Sequence, residues 1–337
     1  MPDTTARKPL SQNPQAANTV IIAGAQKAGT TSLYALLDSH PKIAMSVVKE
    51  PNRYCIDLWP FFAEHIKPHT SRDIEELIAH GKTRHIGLIQ SEETYELLFK
   101  RPLANIQYVG EASASYLCSL DAAREIARHR PAAKIIVILR DPVKRLLSQR
   151  TMGERDAKSS ISLETALRTE RLERENGEHP YPSLLGSSLY GAALQRFYEQ
   201  FPDEQILLVD FSELSEPERL ILKIAAFLDI DPQGFTPSMP HRNKSVSARH
   251  VGLNQLLVKS GLKNVIRSLI PQILIDRLKP FYYQEKSNGQ QLEEAIRQEL
   301  MDVFRSDLTL LSALVGHKPW PWIETYLGDS HRSTGRS

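Results

Sequence analysis

The sequence predicts an α/β protein with three layers, in which a central parallel sheet is flanked by helices. Short runs of β-branched and apolar residues alternate along the chain with longer segments whose apolar residues recur at helical spacing. Short loops connect them, and this alternation is typical of a parallel sheet covered on both faces. The 337 residues are 41% hydrophobic and carry a net charge of only +2. This composition is that of a globular protein and argues against a general nucleic-acid binder.

The first half of the predicted sheet begins with a buried strand over residues 19–23, which ends at Gly24. A helix is expected over residues 30–38, because its leucines fall on one face. Two further short strands are predicted over residues 43–46 and 107–109. A strand–loop–helix unit therefore stands near the N-terminus of the chain.

The second half continues the alternation of strand and helix. A helix is predicted over residues 121–130, where Asp121 caps it and Pro131 stops it. The run from Lys134 to Leu139 predicts a buried strand, and the next helix opens at Pro142, where the missing N–H costs nothing. The remaining predicted elements are a charged helix over 162–175, a helix over 189–201, a strand over 205–209 and a helix over 216–228.

The ends of the chain differ in character from this central region. Residues 1–18 contain three prolines and no long apolar run, so we expect a disordered leader that is neither a signal peptide nor an anchor. One domain is expected over residues 19–330, followed by a flexible tail over residues 331–337. The two cysteines exclude a disulfide scaffold. We therefore expect a cytoplasmic protein, and no metal site is predicted.

The loop between the first strand and the first helix indicates an anion-binding site. Backbone N–H groups of a glycine-flanked loop converge at a helix N-terminus, which favours a phosphate or a sulfate. The loop is not a Walker A motif, because its lysine stands two positions before Gly29 instead of directly after it. The candidate anion-binding residues of this loop are Gln26, Lys27, Ala28, Gly29, Thr30, Thr31 and Ser32.

A second candidate anion site follows the strand over residues 134–139. This strand delivers Arg140 to its carboxyl end, where open α/β sheets bind ligands. Ser148 follows two turns into the next helix, and an arginine with a serine can hold a second phosphate. The alternative interpretation is a structural ion pair between Arg140 and Asp141.

Together these stretches resemble a known enzyme family. GAQKAGTTSLYALLDSHP, KEPNRYC and ILRDPVKRLLS, in this order, resemble the sulfotransferases that use 3′-phosphoadenylyl sulfate (PAPS), in particular the heparan-sulfate-type and bacterial branch. The resemblance covers residues 19–250 and implies a P-loop-like fold without a metal. It implies that residues 26–32 bind the 5′-phosphosulfate of the donor, and that Arg140 and Ser148 bind its 3′-phosphate. The product would be 3′-phosphoadenosine 5′-phosphate (PAP).

Two residues are the candidate catalytic groups. Lys27 would stabilise the negative charge that develops on the bridging oxygen of the leaving nucleotide. Glu50 matches the glutamate that serves as the base in the heparan-sulfate branch, and the alternative is a surface carboxylate paired with Lys49 or Arg53. The other candidate bases are Asp57, His40, His65, His69, His80 and His85.

Three residues are candidates for substrate binding, each with an alternative. Lys49 would contact the donor or the acceptor, as in the same branch. Arg53 stands where that branch has an aromatic residue, so it either meets an anionic acceptor or is a solvated side chain. Tyr190 either packs beside the donor or acceptor or belongs to the core.

The segment from 241 to 286 carries nine Lys or Arg and two acidic residues, and it is predicted to form basic helices and loops. The resemblance places Lys244 and Arg249 in a basic loop over the nucleotide, and the alternative is a solvated charge run. The amphipathic stretch over residues 253–279 is expected to be a lid on the core. Alternatively, it contacts the acceptor or a membrane surface.

The leading hypothesis is a PAPS-dependent enzyme that sulfates a hydroxyl or an amine of a small-molecule or glycan acceptor, such as a carbohydrate. One alternative is a P-loop kinase or NTPase with an altered loop. That enzyme would need a carboxylate for Mg²⁺ directly after the strand over 134–139, where the sequence has Arg140. The other alternative is a non-enzymatic module that binds anions or membranes through residues 241–286.

Overall fold

The fold is built on a parallel sheet of five strands among the residues that the computed structural model describes, which are 18–99, 105–155, 161–236, 246–248, 283–285, 294–316 and 320–327. The strands are β1 (Asn18–Gly24), β2 (Ile43–Met45), β3 (Val48–Glu50), β4 (Arg84–Ile86), β5 (Tyr108–Glu111), β6 (Lys134–Leu139), β7 (Ile206–Asp210), β8 (Val246–Ala248) and β9 (Tyr283–Glu285). The main sheet has the order β2-β5-β1-β6-β7, and each neighbouring pair is parallel.

Helices connect and flank these strands. They are α1 (Thr30–Asp38), α2 (Trp59–His65), α3 (Ser71–Ala79), α4 (Glu92–Leu97), α5 (Ala122–His129), α6 (Pro142–Arg155), α7 (Leu163–Glu175), α8 (Tyr190–Tyr198), α9 (Pro217–Leu228), α10 (Glu294–Val315) and α11 (Pro321–Leu327). None of the helices in the described part of the chain is both long enough and apolar enough to span a membrane.

The predicted fold class is confirmed. The two central strands, β1 and β6, are buried almost along their whole length, which requires a layer on each face of the sheet. The bounds of α1 and β6 are those that the sequence predicts, and the other predicted elements of the sheet region differ by a few residues at their ends. The core is therefore the one expected from the apolar runs.

Three local features differ from the sequence predictions. Asp121 is the N-cap residue of α5 as predicted, but its carboxylate accepts from Arg124 and makes no capping hydrogen bond, and the Ser119 hydroxyl oxygen accepts the N–H of Ala122. The short parallel pair β3–β4 lies outside the main sheet and was not predicted. An antiparallel pair, β8–β9, lies within the segment predicted as helix and loop. Lys244, Arg249 and the stretch over 253–279 lie outside the described residues.

The C-terminal helical extension is present, and it packs against the edge of the sheet where Arg140 emerges. The Asp307 carboxylate of α10 accepts the N–H groups of Gly191 and Ala192 at the start of α8. The indole N–H of Trp322 in α11 donates a 2.5 Å hydrogen bond to the Asp210 carboxylate at the end of β7. These contacts hold the start of α8 and the end of β7 against the extension, so its two helices help to shape the region described next.

Candidate functional site

The loop between β1 and α1 has a backbone that only certain residues can adopt. Gly29 has φ +99°, and a Cβ at this position would lie 2.5 Å from the Leu214 side chain, so glycine is required. Lys27 also has a positive φ of 67°. The first turn of α1 leaves the N–H groups of Thr30 and Thr31 without intrahelical acceptors, and the helix dipole adds positive potential there. The loop therefore has the form of an anion cradle.

The side chains of the loop divide into two groups. Ala28 and Thr30 are buried, and the Gln26 Oε1 atom is buried without a hydrogen-bond partner among the described residues. Thr31 and Ser32 instead face an open cavity beside α1. Of these side chains, the hydroxyl groups of Thr31 and Ser32 are therefore the ones that border open space.

Lys27 contacts two separate parts of the site. Its ammonium group donates to the Met152 sulfur of α6 at 3.3 Å, and its carbonyl oxygen accepts a hydrogen bond of 3.2 Å from Arg140 Nη1. The lysine therefore lies between α6 and the end of β6. This is where both predicted anion sites meet.

Arg140 is nearly buried, with 9% of its surface exposed, and its guanidinium lies 4.4 Å from the centre of the Phe211 ring. Burial lowers the pKa of this guanidinium from its usual value. Its Nε atom has no hydrogen-bond partner among the described residues. A buried cation with an unused donor is suited to hold an anion, because the interaction is strong where water is excluded.

The alternative pairing of Arg140 with Asp141 does not occur in this structure. The Asp141 carboxylate accepts the N–H of Lys144 at 2.8 Å and also contacts the hydroxyl of Tyr326 in α11. Ser148 is buried within α6, two turns from the strand end. Arg140 thus follows the carboxyl end of β6, and Ser148 lies on the helix that begins there.

Tyr190 does not contact the open part of the site, so its expected role in substrate binding is corrected. The side chain is fully buried, and its hydroxyl donates a 2.8 Å hydrogen bond to the carbonyl oxygen of Arg140. Its ring packs against Trp322. Tyr190 thus belongs to the core and supports the backbone that carries Arg140.

Glu50 ends β3 and lies beside two basic groups. Its Oε1 atom accepts a 2.6 Å hydrogen bond from Lys49 Nζ and stands 3.9 Å from His85 Nε2. The pairing of β3 with β4 brings His85 to this position, because Glu50 is in register with Ile86. His85, one of the alternative candidate bases, therefore lies beside Glu50, the predicted base.

Electrostatics connect this carboxylate to the anion loop. The pKa of His85 is lowered by partial burial, by the charge of Lys49 and by the charge of Lys27, while Glu50 acts in the opposite direction. Lys49, Glu50 and His85 are in direct contact. Thr31 and Ser32 at the start of α1 line the same cavity as Lys49 and His85, so the anion loop and the β3–β4 pair border one cavity.

A cavity of about 570 Å³ opens along this site between α1 and β4. Its lining includes hydroxyl and charged groups, and the residues are Thr31, Ser32, Tyr34, Ala35, Asp38, Ser39, Lys49, Thr83, Arg84 and His85. The hydroxyl and charged groups of the lining can hydrogen-bond a hydrophilic ligand. We call it the α1–β4 cavity.

Arg53 has a structural role, which corrects both sequence interpretations. It is buried, with its guanidinium 5.7 Å from the ring centres of Tyr54 and Trp59 and 3.5 Å from the Glu92 carboxylate. It is neither a solvated side chain nor part of the α1–β4 cavity lining. Its cation instead joins α4 to the segment after β3.

The remaining candidate bases are engaged elsewhere. His40 is buried and hydrogen-bonds the Asp231 carbonyl, and His69 contacts Arg84. His65 and His80 hydrogen-bond carbonyl groups of their own helices. The Asp57 carboxylate accepts hydrogen bonds from Ser119 and Leu120.

Glu111, a buried carboxylate near the site, was not identified from the sequence. Glu111 ends β5 and has no exposed surface, and its carboxylate accepts hydrogen bonds from Tyr95, Ser113 and Tyr116. Burial raises its pKa to about 7. An acidic residue at the carboxyl end of a predicted parallel strand was the signal that could have identified it.

Comparison with known proteins extends these observations. Residues 19–234 match the model of the sulfotransferase family. The mouse bifunctional heparan sulfate N-deacetylase/N-sulfotransferase 4 is 27% identical over 223 residues, which cover 63% of this chain and 22% of that protein. Carbohydrate sulfotransferase 15 from Rattus norvegicus is 27% identical over 251 residues, covering 63% of this chain and 43% of the relative.

The fold also matches a solved structure. The crystal structure of a sulfotransferase from Alicyclobacillus acidocaldarius has a TM-score of 0.61 to this chain at 23% identity, and the alignment covers 91% of this chain and 99% of that one. This likeness concerns the fold. The curated relatives are longer proteins, and the chain spans about a fifth of the N-deacetylase/N-sulfotransferase and less than half of the carbohydrate sulfotransferase.

Proposed function

Because this chain belongs to the sulfotransferase family, we propose that it transfers a sulfuryl group from PAPS to a hydroxyl or an amine of a carbohydrate or a related metabolite. The observation that carries the proposal is the contact between Arg140 and Lys27, which joins two anion sites at one end of the sheet. PAPS has two separate anionic groups, at its 5′ and 3′ positions. A site with two cationic regions suits it.

The residues present fit such a donor. The N–H groups and hydroxyls at the start of α1, with Lys27, suit the 5′-phosphosulfate. Arg140 with its unpartnered Nε, together with Ser148, suits the 3′-phosphate. PAPS differs from an ordinary nucleotide in its 5′-phosphosulfate and its 3′-phosphate, and each of these two groups has its own set of proposed binding residues.

The proposed mechanism is an in-line transfer in which Lys27 and Glu50 have separate roles. A new bond forms between the acceptor oxygen or nitrogen and sulfur, while the bond from sulfur to the bridging phosphate oxygen breaks. Lys27 stabilises the charge that develops on that oxygen, and Glu50 receives the proton that the acceptor loses. Lys49 donates to Glu50 and holds the carboxylate in place.

The α1–β4 cavity is the proposed acceptor site. It lies beside Lys49 and His85, so an acceptor bound there lies near Glu50. The hydroxyl groups and charged side chains of its lining suit a sugar, which presents many donors and acceptors of hydrogen bonds. The names of the relatives, which refer to heparan sulfate and to carbohydrate, support the same class of acceptor.

The first experiment measures donor recognition by calorimetry. We expect PAP to bind the wild type tightly, whereas ATP with Mg²⁺ binds weakly or not at all. Arg140→Ala should lose most of the affinity for PAP, and Arg124→Ala, an exposed arginine of α5, should not. Preference for ATP would favour the kinase or NTPase alternative instead. Binding of neither nucleotide would favour the non-enzymatic alternative.

The second experiment measures transfer. The wild type is supplied with PAPS labelled with ³⁵S and with a panel of amino sugars, neutral oligosaccharides and N-desulfated heparin. Labelled product should form with at least one acceptor and should disappear in Lys27→Ala. A protein that binds PAP but transfers label to no member of the panel would contradict the proposed acceptor class.

A further inference from the structure

The carboxylate of Glu111 lies at the centre of a buried hydrogen-bond network. Its Oε1 atom accepts hydrogen bonds from the Tyr116 hydroxyl at 2.6 Å and from the Tyr95 hydroxyl at 3.3 Å, and its Oε2 atom accepts from the Ser113 hydroxyl at 2.7 Å. A carboxylate can only accept hydrogen bonds, so its presence orients all three hydroxyl protons towards itself.

This orientation leaves two hydroxyl oxygens free to accept from the chain that follows Glu50. The Ser113 oxygen accepts the N–H of Asn52 at 3.1 Å. The Tyr116 oxygen accepts the N–H of Arg53 at 3.0 Å. Ionised Glu111 therefore sets the direction of hydrogen bonds that fix the main chain two and three residues after the proposed base.

Asn52 continues the connection to Glu50 itself. Its φ of 53° is in the left-handed region, which asparagine tolerates better than most residues. The amide Nδ2 donates to the carbonyl oxygens of Glu50 at 3.0 Å and Gly87 at 2.9 Å, while Oδ1 accepts from the Ser115 hydroxyl. The Glu50 main chain is thus held between β5 and the end of β4.

We propose that Glu111 is a positioning residue, which holds Glu50 in its catalytic place through Ser113, Tyr116 and Asn52. The inference rests on the proposed function, because Glu50 needs an exact place only if it acts as a base. Glu111 has no exposed surface, so we assign it no direct contact with substrate. Its effect on the reaction is transmitted by the main chain from 50 to 53.

The same network makes the positioning dependent on pH. Five titratable groups interact electrostatically with Glu111. They are the phenols of Tyr95 in α4, Tyr116 after β5 and Tyr54 after β3, the thiol of Cys55 after β3, and the carboxylate of Glu50 in β3. Burial raises the pKa of Glu111 to about 7. When Glu111 takes up a proton, one of its oxygens becomes a donor, and the hydroxyl groups can no longer all keep their direction.

The test uses variants that separate this role from general stability. Glu111→Gln keeps the shape but places an NH₂ group in the network. Tyr116→Phe and Tyr95→Phe each remove one hydroxyl that donates to Glu111, but only the Tyr116 hydroxyl also accepts from the chain after Glu50. Tyr95→Phe is therefore the matched control.

The first readout, amide hydrogen exchange over residues 51–55, needs no activity. We expect exchange of the Asn52 and Arg53 amides to rise on the order of tenfold in Glu111→Gln, since the loss of one net hydrogen bond has about that effect. Tyr116→Phe should speed up exchange of the Arg53 amide, and Tyr95→Phe should leave exchange of both the Asn52 and the Arg53 amides unchanged. Unchanged exchange in Glu111→Gln would overturn the inference.

The second readout is transfer from PAPS to the best acceptor of the panel. Glu111→Gln should lower kcat about tenfold, with unchanged affinity for PAP, and should remove the decline in rate that wild type shows as the pH falls through 7. A variant that loses PAP binding, or that keeps the wild-type pH profile, would overturn the positioning role. If wild type itself transfers nothing, the proposed function fails and this inference fails with it. An active wild type with an unaffected Glu111→Gln overturns the inference alone.

Discussion

Arg140 Nη1 donates a 3.2 Å hydrogen bond to the carbonyl oxygen of Lys27, which lies 113 positions earlier in the chain. The partner is a neutral carbonyl, so this hydrogen bond does not compensate the positive charge of the guanidinium. The Nε atom has no partner among the residues described. This single contact connects the loop before α1 to the end of β6, and it fixes the spacing between the two proposed anion sites.

Lys27→Ala should lower kcat by about 10²–10³-fold, because it removes the cation that stabilises developing charge on the leaving oxygen. Affinity for PAP should change much less, since the N–H groups of the loop and Arg140 remain. Transfer of ³⁵S and calorimetry with PAP measure the two effects. Lys134→Ala, which removes a lysine at the opposite end of β6, is the control. Unchanged turnover in Lys27→Ala would refute the proposed leaving-group role.

Glu50→Gln should lower kcat by about 10²–10⁴-fold, the range over which a general base usually contributes. Binding of PAP should stay close to that of wild type, because Glu50 lies outside the proposed donor contacts. His85→Gln distinguishes the two groups that stand 3.9 Å apart, and it should reduce kcat far less than Glu50→Gln. A larger loss in His85→Gln would assign the base to the histidine.

Tyr190→Phe should weaken both the fold and the donor site. The change removes the hydroxyl that donates to the Arg140 carbonyl and leaves that buried oxygen without this partner. The free energy of unfolding should fall by about 1–3 kcal/mol in urea denaturation, and PAP affinity should fall with it. Tyr198→Phe changes a half-buried tyrosine of the same helix and should have little effect on PAP binding. Equal PAP affinities of the wild type and Tyr190→Phe would show that Tyr190 does not position Arg140.

The stability of the protein should contain a contribution from Glu111 that falls with rising pH. Burial raises the pKa of this carboxyl from its usual value of 4.5 to about 7, so the folded state retains a proton that the unfolded state has lost. The contribution is fully present below pH 4.5 and is lost as the pH rises to about 7, with a magnitude on the order of 3 kcal/mol.

Urea denaturation of wild type and Glu111→Gln between pH 4 and pH 8 measures this contribution. The free energy of unfolding of wild type should fall relative to that of Glu111→Gln as the pH rises across this window. Parallel stability curves would show that Glu111 does not titrate in this range. The ionised form of Glu111, which the proposed positioning role needs, is therefore the form in which the fold is less stable.

The sequence predicted those parts of the fold that depend on local patterns. Helix α1 and strand β6 were predicted with their observed bounds, because leucines at helical spacing and a continuous β-branched run are unambiguous. The pair β3–β4 was not predicted, because each strand has three residues and the β4 residues are all exposed. Such short strands exist only where the fold brings two segments together.

The candidate site shows the same division. Lys27, Arg140 and Ser148 were predicted from a loop before a helix and from the end of a buried strand, which have a known geometry, whereas Glu50 was predicted from the family resemblance. The roles of Arg53 and Tyr190 could not be predicted, because their partners Glu92 and Arg140 are distant in the chain. A side chain's exposure depends on what the fold packs against it.

The sequence by itself determined the fold class and predicted an anion-binding loop, and both follow from local spacing, which the chain carries whatever its tertiary structure. The residues that the proposed transfer needs were implied by the family resemblance. Only the tertiary structure decided that the Asp141 carboxylate contacts Lys144 and Tyr326 and makes no direct ion pair with Arg140, and that Glu111 reaches Glu50 through Ser113 and Asn52. Hydrogen bonds and ion pairs act over a few ångströms, so such partners are selected by proximity in space and not by distance along the chain.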